Sequence, residues 1–365
     1  MRTRQILLGI ALILTTSVAA ASAQPSTNED RAAAWLEAHR PRPVMLRMFL
    51  QRMPKGGDIH THLSGAVYAE SYIAWAASAG LCAGTATGAI GPCSALAPEA
   101  RPVAEALRDP VFYSLIVDGL STRNVANRPQ SGHDQFFDAF SRFRAATKDR
   151  SADMVAELAT RAADQHVMYL EIMLTLGLVP PADLRFHIRE AVEVAKARRI
   201  GHGVDIAYER DAMQLLAEMK RRDVLVEICL TSNDVILGVR GPRHPFPDYL
   251  LAGVPVTLAT DDEGVSRIDL TNEYVRAAET YGLGYRQLKQ LSRNSLTYSF
   301  LAGDSLWRSA SDAQPVAVCG GARPDQPPPS PCQSFLDASD KARMQWNLER
   351  AFHAFEGMGW SGETR

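Results

Sequence analysis

Four times in this chain a short apolar run carries functional-looking polar residues toward its carboxyl end, and a helical pattern or a short loop comes next. The clearest case lies within Met53–Ala66. There Asp58-Ile59-His60-Thr61-His62-Leu63 alternates, so His60 and His62 point to one side of a strand, because strand side chains repeat every two residues. Gly65 breaks the strand and Ala66 starts a helix. Two imidazoles on one strand face can share a metal ion. The plain alternative is an ordinary strand with two chance histidines, in a chain that has only nine. Arg199–Ile206 sets His202 between Gly201 and Gly203, which lets the backbone come close to a neighbour. Val224–Leu230 runs to Thr231-Ser232-Asn233, and Val254–Asp262 ends in two carboxylates, Asp261 and Asp262. A fifth run, Val167–Leu174, holds Glu171 as a satisfied buried carboxylate or a site group. Alternating strands and helices imply a parallel sheet with right-handed crossovers. Chemistry at the carboxyl ends of such strands is the habit of α/β barrels. The expected fold class is therefore α/β of the TIM-barrel (β/α)8 type. It is an incomplete one, since about five of eight strands are recognisable.

Between these runs the apolar spacing predicts helices over 28–52, 66–79, 151–165, 182–197 and 207–221, with Ser151 as an N-cap. Others are expected over 270–281, 285–301 and about 338–355. Residues 80–98, rich in Gly, Ala and Cys, read as an excursion loop. Phe136, Phe137, Phe140 and Phe143 form a stripe at helical spacing that reads as packing, with stacking on a substrate as the sharper alternative. Arg2, Arg4, the apolar run Ile6–Leu14 and Ala21-Ser22-Ala23 read as a secretory signal peptide over 1–23. The predicted organisation continues with a helical extension over 24–57 and a barrel over 58–305 with an insertion at about 80–150. A C-terminal loop and helix over 306–365 complete it. The leader implies an exported protein, periplasmic or extracellular. A net charge of −2 without a basic block argues against nucleic acid or an anionic membrane surface as partner. No later run is apolar enough for a membrane helix. Nothing in the sequence signals an oligomeric state.

Five cysteines suit export. Cys82 and Cys93 flank one loop and Cys319 and Cys332 another, so local pairing would close two short loops, each contributing up to roughly 3 kcal/mol. Cys229, in an apolar strand, reads as a buried free thiol. A zinc knuckle is the rival, but no Cys-x-x-Cys pair exists.

His60, His62, His202 and Asp261 form the natural constellation. Neutral imidazoles and a carboxylate suit zinc or another divalent first-row metal. The Asp261-Asp262 pair has a plainer alternative as a cap for the next helix. At this point the residues resemble a known family. Asp58–Ala66, Arg199–Gly203, Glu227–Asn233 and Thr260-Asp261-Asp262 look like four successive motifs of the adenosine deaminase family, in the metal-dependent amidohydrolase superfamily. Met53-Pro54-Lys55-Gly56 and the excursion after the first motif resemble its secreted, growth-factor-related branch. The resemblance spans roughly 53–301. It implies a TIM barrel with one zinc ion per chain, held by His60, His62 and Asp261. It implies His202 as the catalytic residue that orients and activates the water. Asp262, with Ser64 and Gly65, would bind a purine nucleoside. The implied reaction is hydrolysis of adenosine, or 2'-deoxyadenosine, to inosine and ammonia.

The sequence departs from the family in one large respect. The family's His-Ala-Gly-Glu motif, which supplies a third metal histidine and the proton-transfer glutamate, has no counterpart. Val167–Leu174 resembles barrel strand two and Arg199–Ile206 resembles strand six. Leu176–Pro181 resembles the family's stretch just after the missing motif. That arrangement implies an internal deletion of strands three to five. His166 and His187 are the only substitute ligands on paper. Ser64 stands where many members carry an aspartate, and Leu230 replaces a common proline. The alternatives are a catalytically impaired nucleoside- or metal-binding remnant, and a related amidohydrolase acting on another amine.

Overall fold

The computed structural model describes residues 27–96, 98–127, 129–173, 187–311 and 313–360. The leader, residues 174–181 and the start of the helix expected from Ala182 lie outside them. Among the described residues the strands are β1 Gly57–His62, β2 Cys82–Gly84, β3 Ile90–Gly91, β4 Ala100–Pro102, β5 Tyr169–Met173, β6 Arg199–Gly201, β7 Leu225–Ile228 and β8 Val256–Leu258.

Five of these are parallel, the number expected. β1 pairs with β5, and β7 lies between β6 and β8. The two groups meet at a single parallel bridge, Thr61 to Asp261. There the His62 amide donates to Asp261 O at 2.9 Å, and the Asp261 amide donates to His60 O at 2.9 Å. Among the described residues the strand order is thus β5-β1-β8-β7-β6, an open arc and not a closed barrel. Among the described residues the outer edges of β5 and β6 have no strand partner. Side chains span the gap instead. Arg199 on β6 pairs with Glu171 on β5 at 2.6 Å and with Glu227 on β7 at 2.8 Å. The Arg199 guanidinium also lies 4.2 Å over the Phe300 ring. Glu171 further accepts from Tyr169 Oη at 3.1 Å and from the Phe300 amide at 2.6 Å. It is a satisfied structural carboxylate and takes no part in the site.

The larger core lies under the parallel strands, where Leu46, Phe49, Val226, Leu258, Tyr274 and Phe352 are fully buried. The second core belongs to the excursion after β1, with Tyr72, Ile116, Phe136 and Phe143. There Phe143 stacks on Tyr72 at 4.6 Å, so the phenylalanine stripe packs, though Phe137 stays exposed. The excursion is not simply a loop, because β3-β2-β4 form a small antiparallel sheet. Both expected disulfides are present, Cys82–Cys93 and Cys319–Cys332, and Cys229 is a buried free thiol.

Local differences have local causes. The helix expected over 28–52 is two, Asn28–His39 and Pro43–Arg52, because Pro41 and Pro43 interrupt the hydrogen-bond ladder. Ser151 is the first helical residue, behind Arg150, and is not the cap. The strand expected to run to Ile206 stops at Gly201, where His202 turns to φ +61°. Thr231-Ser232-Asn233 belong to a helix, Leu230–Leu237, and not to a strand end. No helix among the described residues is long and apolar enough to cross a membrane.

Candidate functional site

The site sits where the two groups of strands meet. His60 and His62 occupy the last turn of the β1 pleat, with ring centroids 5.8 Å apart. Asp261 comes after β8 and His202 after β6. Both hold φ +61°, a left-handed backbone that costs a non-glycine residue about 1–3 kcal/mol. The turn swings each side chain back over the strand ends. His62 Nε2 then lies 3.3 Å from Asp261 Oδ1, and His60 Nε2 lies 3.7 Å from it. His202 Nε2 lies 3.8 Å from Asp261 Oδ2. The glycine before His202 is required, since a Cβ at Gly201 would stand 2.8 Å from His60 Cε1.

Each of these side chains is wired from behind. His60 Nδ1 meets Glu227 Oε2 at 2.7 Å. A carboxylate only accepts, so the proton sits on Nδ1 and the lone pair of Nε2 faces the site. Burial disfavours a charged His60, but Glu227, Asp261 and Asp58 outweigh it and raise its pKa. Burial lowers the pKa of His62 and of His202, which keeps both rings neutral. Burial also works against the Asp261 carboxylate, yet His202, His60, His62 and the Ser232 hydroxyl at 2.5 Å hold its pKa down. Asp58 Oδ2 accepts from Thr260 Oγ1 at 2.5 Å and ties the start of β1 to the end of β8.

His60, His62 and Asp261 offer three ligand atoms within 4.8 Å of one another. His60, His202 and Cys229 do the same. The first set, two neutral imidazole nitrogens and a carboxylate, fits a divalent first-row metal with open positions left over. Neither His166 nor His187 enters either cluster. Asp262 is 3% exposed and stands at the N-cap of the helix Glu263–Ser266, yet its side chain makes no cap bond and Oδ1 has no partner. Burial, then the neighbouring Asp261 charge, pushes its pKa well up. Gly65 lies directly against this carboxyl, since a Cβ there would fall 1.5 Å from Oδ1. Ser64, half-buried beside it, has its carbonyl bonded by Tyr72 Oη at 2.7 Å. Sequence reasoning assigned no role to Glu227, Ser232 and Asn233 behind the site. Their signal was a lone charge inside an apolar strand and a polar triplet after it.

A model of the adenosine deaminase family matches residues 179–310. That stretch holds three of the four motifs and leaves out the first, so it is shorter than the expected span of 53–301. Aminodeoxyfutalosine deaminase of Streptomyces coelicolor is 39% identical over 124 residues, 34% of this chain and 31% of that protein. Adenosine deaminase of Enterococcus faecalis is 37% identical over 119 residues, 32% of this chain and 34% of that protein. The chain spans about a third of the length of the curated relatives it matches. Among solved structures, N6-methyl-AMP deaminase of Arabidopsis thaliana aligns at TM-score 0.47 and 18% identity, over 71% of this chain and 95% of that one.

Proposed function

We infer the reaction from the superfamily to which residues 179–310 tie this chain, the metal-dependent amidohydrolases of the adenosine deaminase type. The chain is proposed as a zinc-dependent deaminase of adenosine or 2'-deoxyadenosine, exported after removal of its leader and slower than a complete family member. The observation that carries this is the convergence of His60 and His62, from outside the matched segment, on Asp261 inside it.

His60, His62 and Asp261 would hold the metal, with Glu227 fixing the His60 ring. A bound divalent metal supplies Lewis acidity and brings the pKa of a water toward about 7. His202 would orient a water from the Asp261 side. Asp262, whose burial beside Asp261 favours the protonated carboxyl, would donate to a purine ring nitrogen, and Gly65 leaves room for the contact. Ser64 lies next to the ribose end. Hydrolysis adds water across C6, breaks the C6–N bond and releases ammonia. In the family a glutamate carries the proton between water and leaving group, and this chain has no counterpart for it. Loss of a general acid or base removes about 10²–10⁴ in rate. The same absence favours the second reading, a remnant that binds metal or nucleoside with little turnover. The internal deletion of strands three to five, and the kinship with the growth-factor-related branch, are part of the proposal.

The test is adenosine deamination by the chain from Gln24 onward with added zinc, beside His60→Ala/His62→Ala. Slow turnover that disappears in the double variant supports the reading. Folded protein with zinc bound and no turnover of adenosine selects the remnant. Turnover of another amine alone selects the related amidohydrolase.

A further inference from the structure

Behind His202 runs a line of hydrogen bonds that fixes where its proton sits. It begins at a backbone amide. Phe246 N donates to His244 Nδ1 at 3.0 Å. An amide nitrogen only donates, so His244 Nδ1 is bare, the ring is neutral, and its one proton is on Nε2. Burial, then Arg276 and His202, pushes the His244 pKa to about 4, which agrees. The ring is 2% exposed and lies edge-on to Phe246 and Tyr281, at 6.5 and 6.2 Å.

His244 Nε2 lies 2.8 Å from the side-chain amide of Asn233, which is 1% exposed. The other end of that amide lies 2.9 Å from His202 Nδ1. Two amide orientations share this space. With Nδ2 toward His244 and Oδ1 toward His202, the His244 ring would have to accept at both nitrogens, which neither a neutral nor a charged imidazole can do. With the amide turned over, every contact is a donor facing an acceptor. His244 Nε2–H donates to Oδ1 of Asn233, and Nδ2 of Asn233 donates to His202 Nδ1. The His202 proton is then on Nε2, the nitrogen that faces Asp261 Oδ2 at 3.8 Å.

We propose that His244 is a positioning residue that acts through Asn233 to hold His202 in its Nε2–H tautomer, so that His202 meets a water in the site as a hydrogen-bond donor and not as a metal ligand. The wiring separates the two candidate ligand sets. His60 is protonated on Nδ1 by Glu227 and offers a lone pair, whereas His202 offers a proton. The set His60, His62 and Asp261 keeps all its ligand atoms, and the set His60, His202 and Cys229 loses the His202 nitrogen that faces the site. The catalytic meaning of the tautomer rests on the deaminase reading, but the tautomer itself does not.

The experiment is long-range ¹H–¹⁵N correlation NMR of the full chain labelled at histidine, at neutral pH and freed of metal with a chelator. The His202 signals are identified by their loss in His202→Gln. The expected wild-type pattern has Nδ1 of His202 in the bare-nitrogen range and Nε2 in the protonated range. In Asn233→Asp a carboxylate accepts from both rings, so the two ranges exchange at His202 while His244 keeps its pattern. In His244→Phe the amide is released and His202 becomes a mixture. A wild-type His202 protonated on Nδ1 overturns the proposal, and so does a pattern unmoved in Asn233→Asp. The expected tautomer without deamination would sink only the proposed function. The opposite tautomer with measurable deamination would sink only this inference.

Discussion

Glu227 makes no contact with a substrate in the proposed chemistry, yet it decides which nitrogen of His60 is free. Outer partners of this kind are worth about 10–100-fold in metal affinity. Glu227→Gln is therefore expected to weaken zinc at least about 10-fold, measured by competition with a chromophoric chelator. A second residue-scale prediction concerns Glu273, fully buried and bonded to the Thr231 amide at 3.2 Å. Burial raises its pKa to about 7. Its folded value is above its unfolded one, so its contribution is fully present below the usual carboxylate range and is lost as pH rises through about 7. Wild type should lose about 1–3 kcal/mol relative to Glu273→Gln between about pH 5 and pH 8, read from urea midpoints. At this scale the sequence was informative where a period or a motif placed a side chain, as for His60 and His62. It was silent where the partner comes from another element. Nothing local to Glu227, Asn233 or His244 announces that they meet His60 or His202.

At the scale of elements, the outer edges of β5 and β6 are joined by one guanidinium. Arg199 is 16% exposed, and it pairs with both Glu171 and Glu227, which are 10% and 7% exposed. Removing one member of a buried charge group leaves the others uncompensated. Arg199→Ala is expected to cost about 2–3 kcal/mol by denaturant unfolding, and to increase self-association as the two strand edges open. The sequence showed the strands as apolar runs but overran their ends. Strand periodicity extends as far as apolar residues do. The strand β6 stops where the backbone turns left-handed at His202, and Asp261 makes the same turn soon after β8; neither residue gives a local sign of it. The break at Pro41 and Pro43 had a local signal, since proline lacks the amide that helix continuation needs, but the apolar spacing ran through it and hid it.

For the whole molecule, the count of parallel strands among the described residues is the quantity that sequence and structure share. It could be read because each strand carries its own apolar run and its own terminal signal. The open arc could not be read from the chain, because closure depends on which edges face each other. If the proposed His60, His62 and Asp261 are its protein ligands, where the family places a fourth, the site should hold metal loosely. The chain is expected to carry less than one equivalent of zinc after gel filtration, and to gain about 2.7 kcal/mol of stability at a zinc concentration 100 times the dissociation constant. A full equivalent retained through gel filtration and lost in His60→Ala would show that a further ligand completes the site.

The single bridge between Thr61 and Asp261 has a dynamic consequence. The same few residues that would grip the metal also stitch the two groups of strands together, through the amides of His62 and Asp261. Ligand loss and opening of the sheet are then one event. In deuterated water those two amides should exchange fastest among the parallel strands when metal is removed, and slow together when zinc is restored. They would serve as a built-in gauge of whether the site is filled.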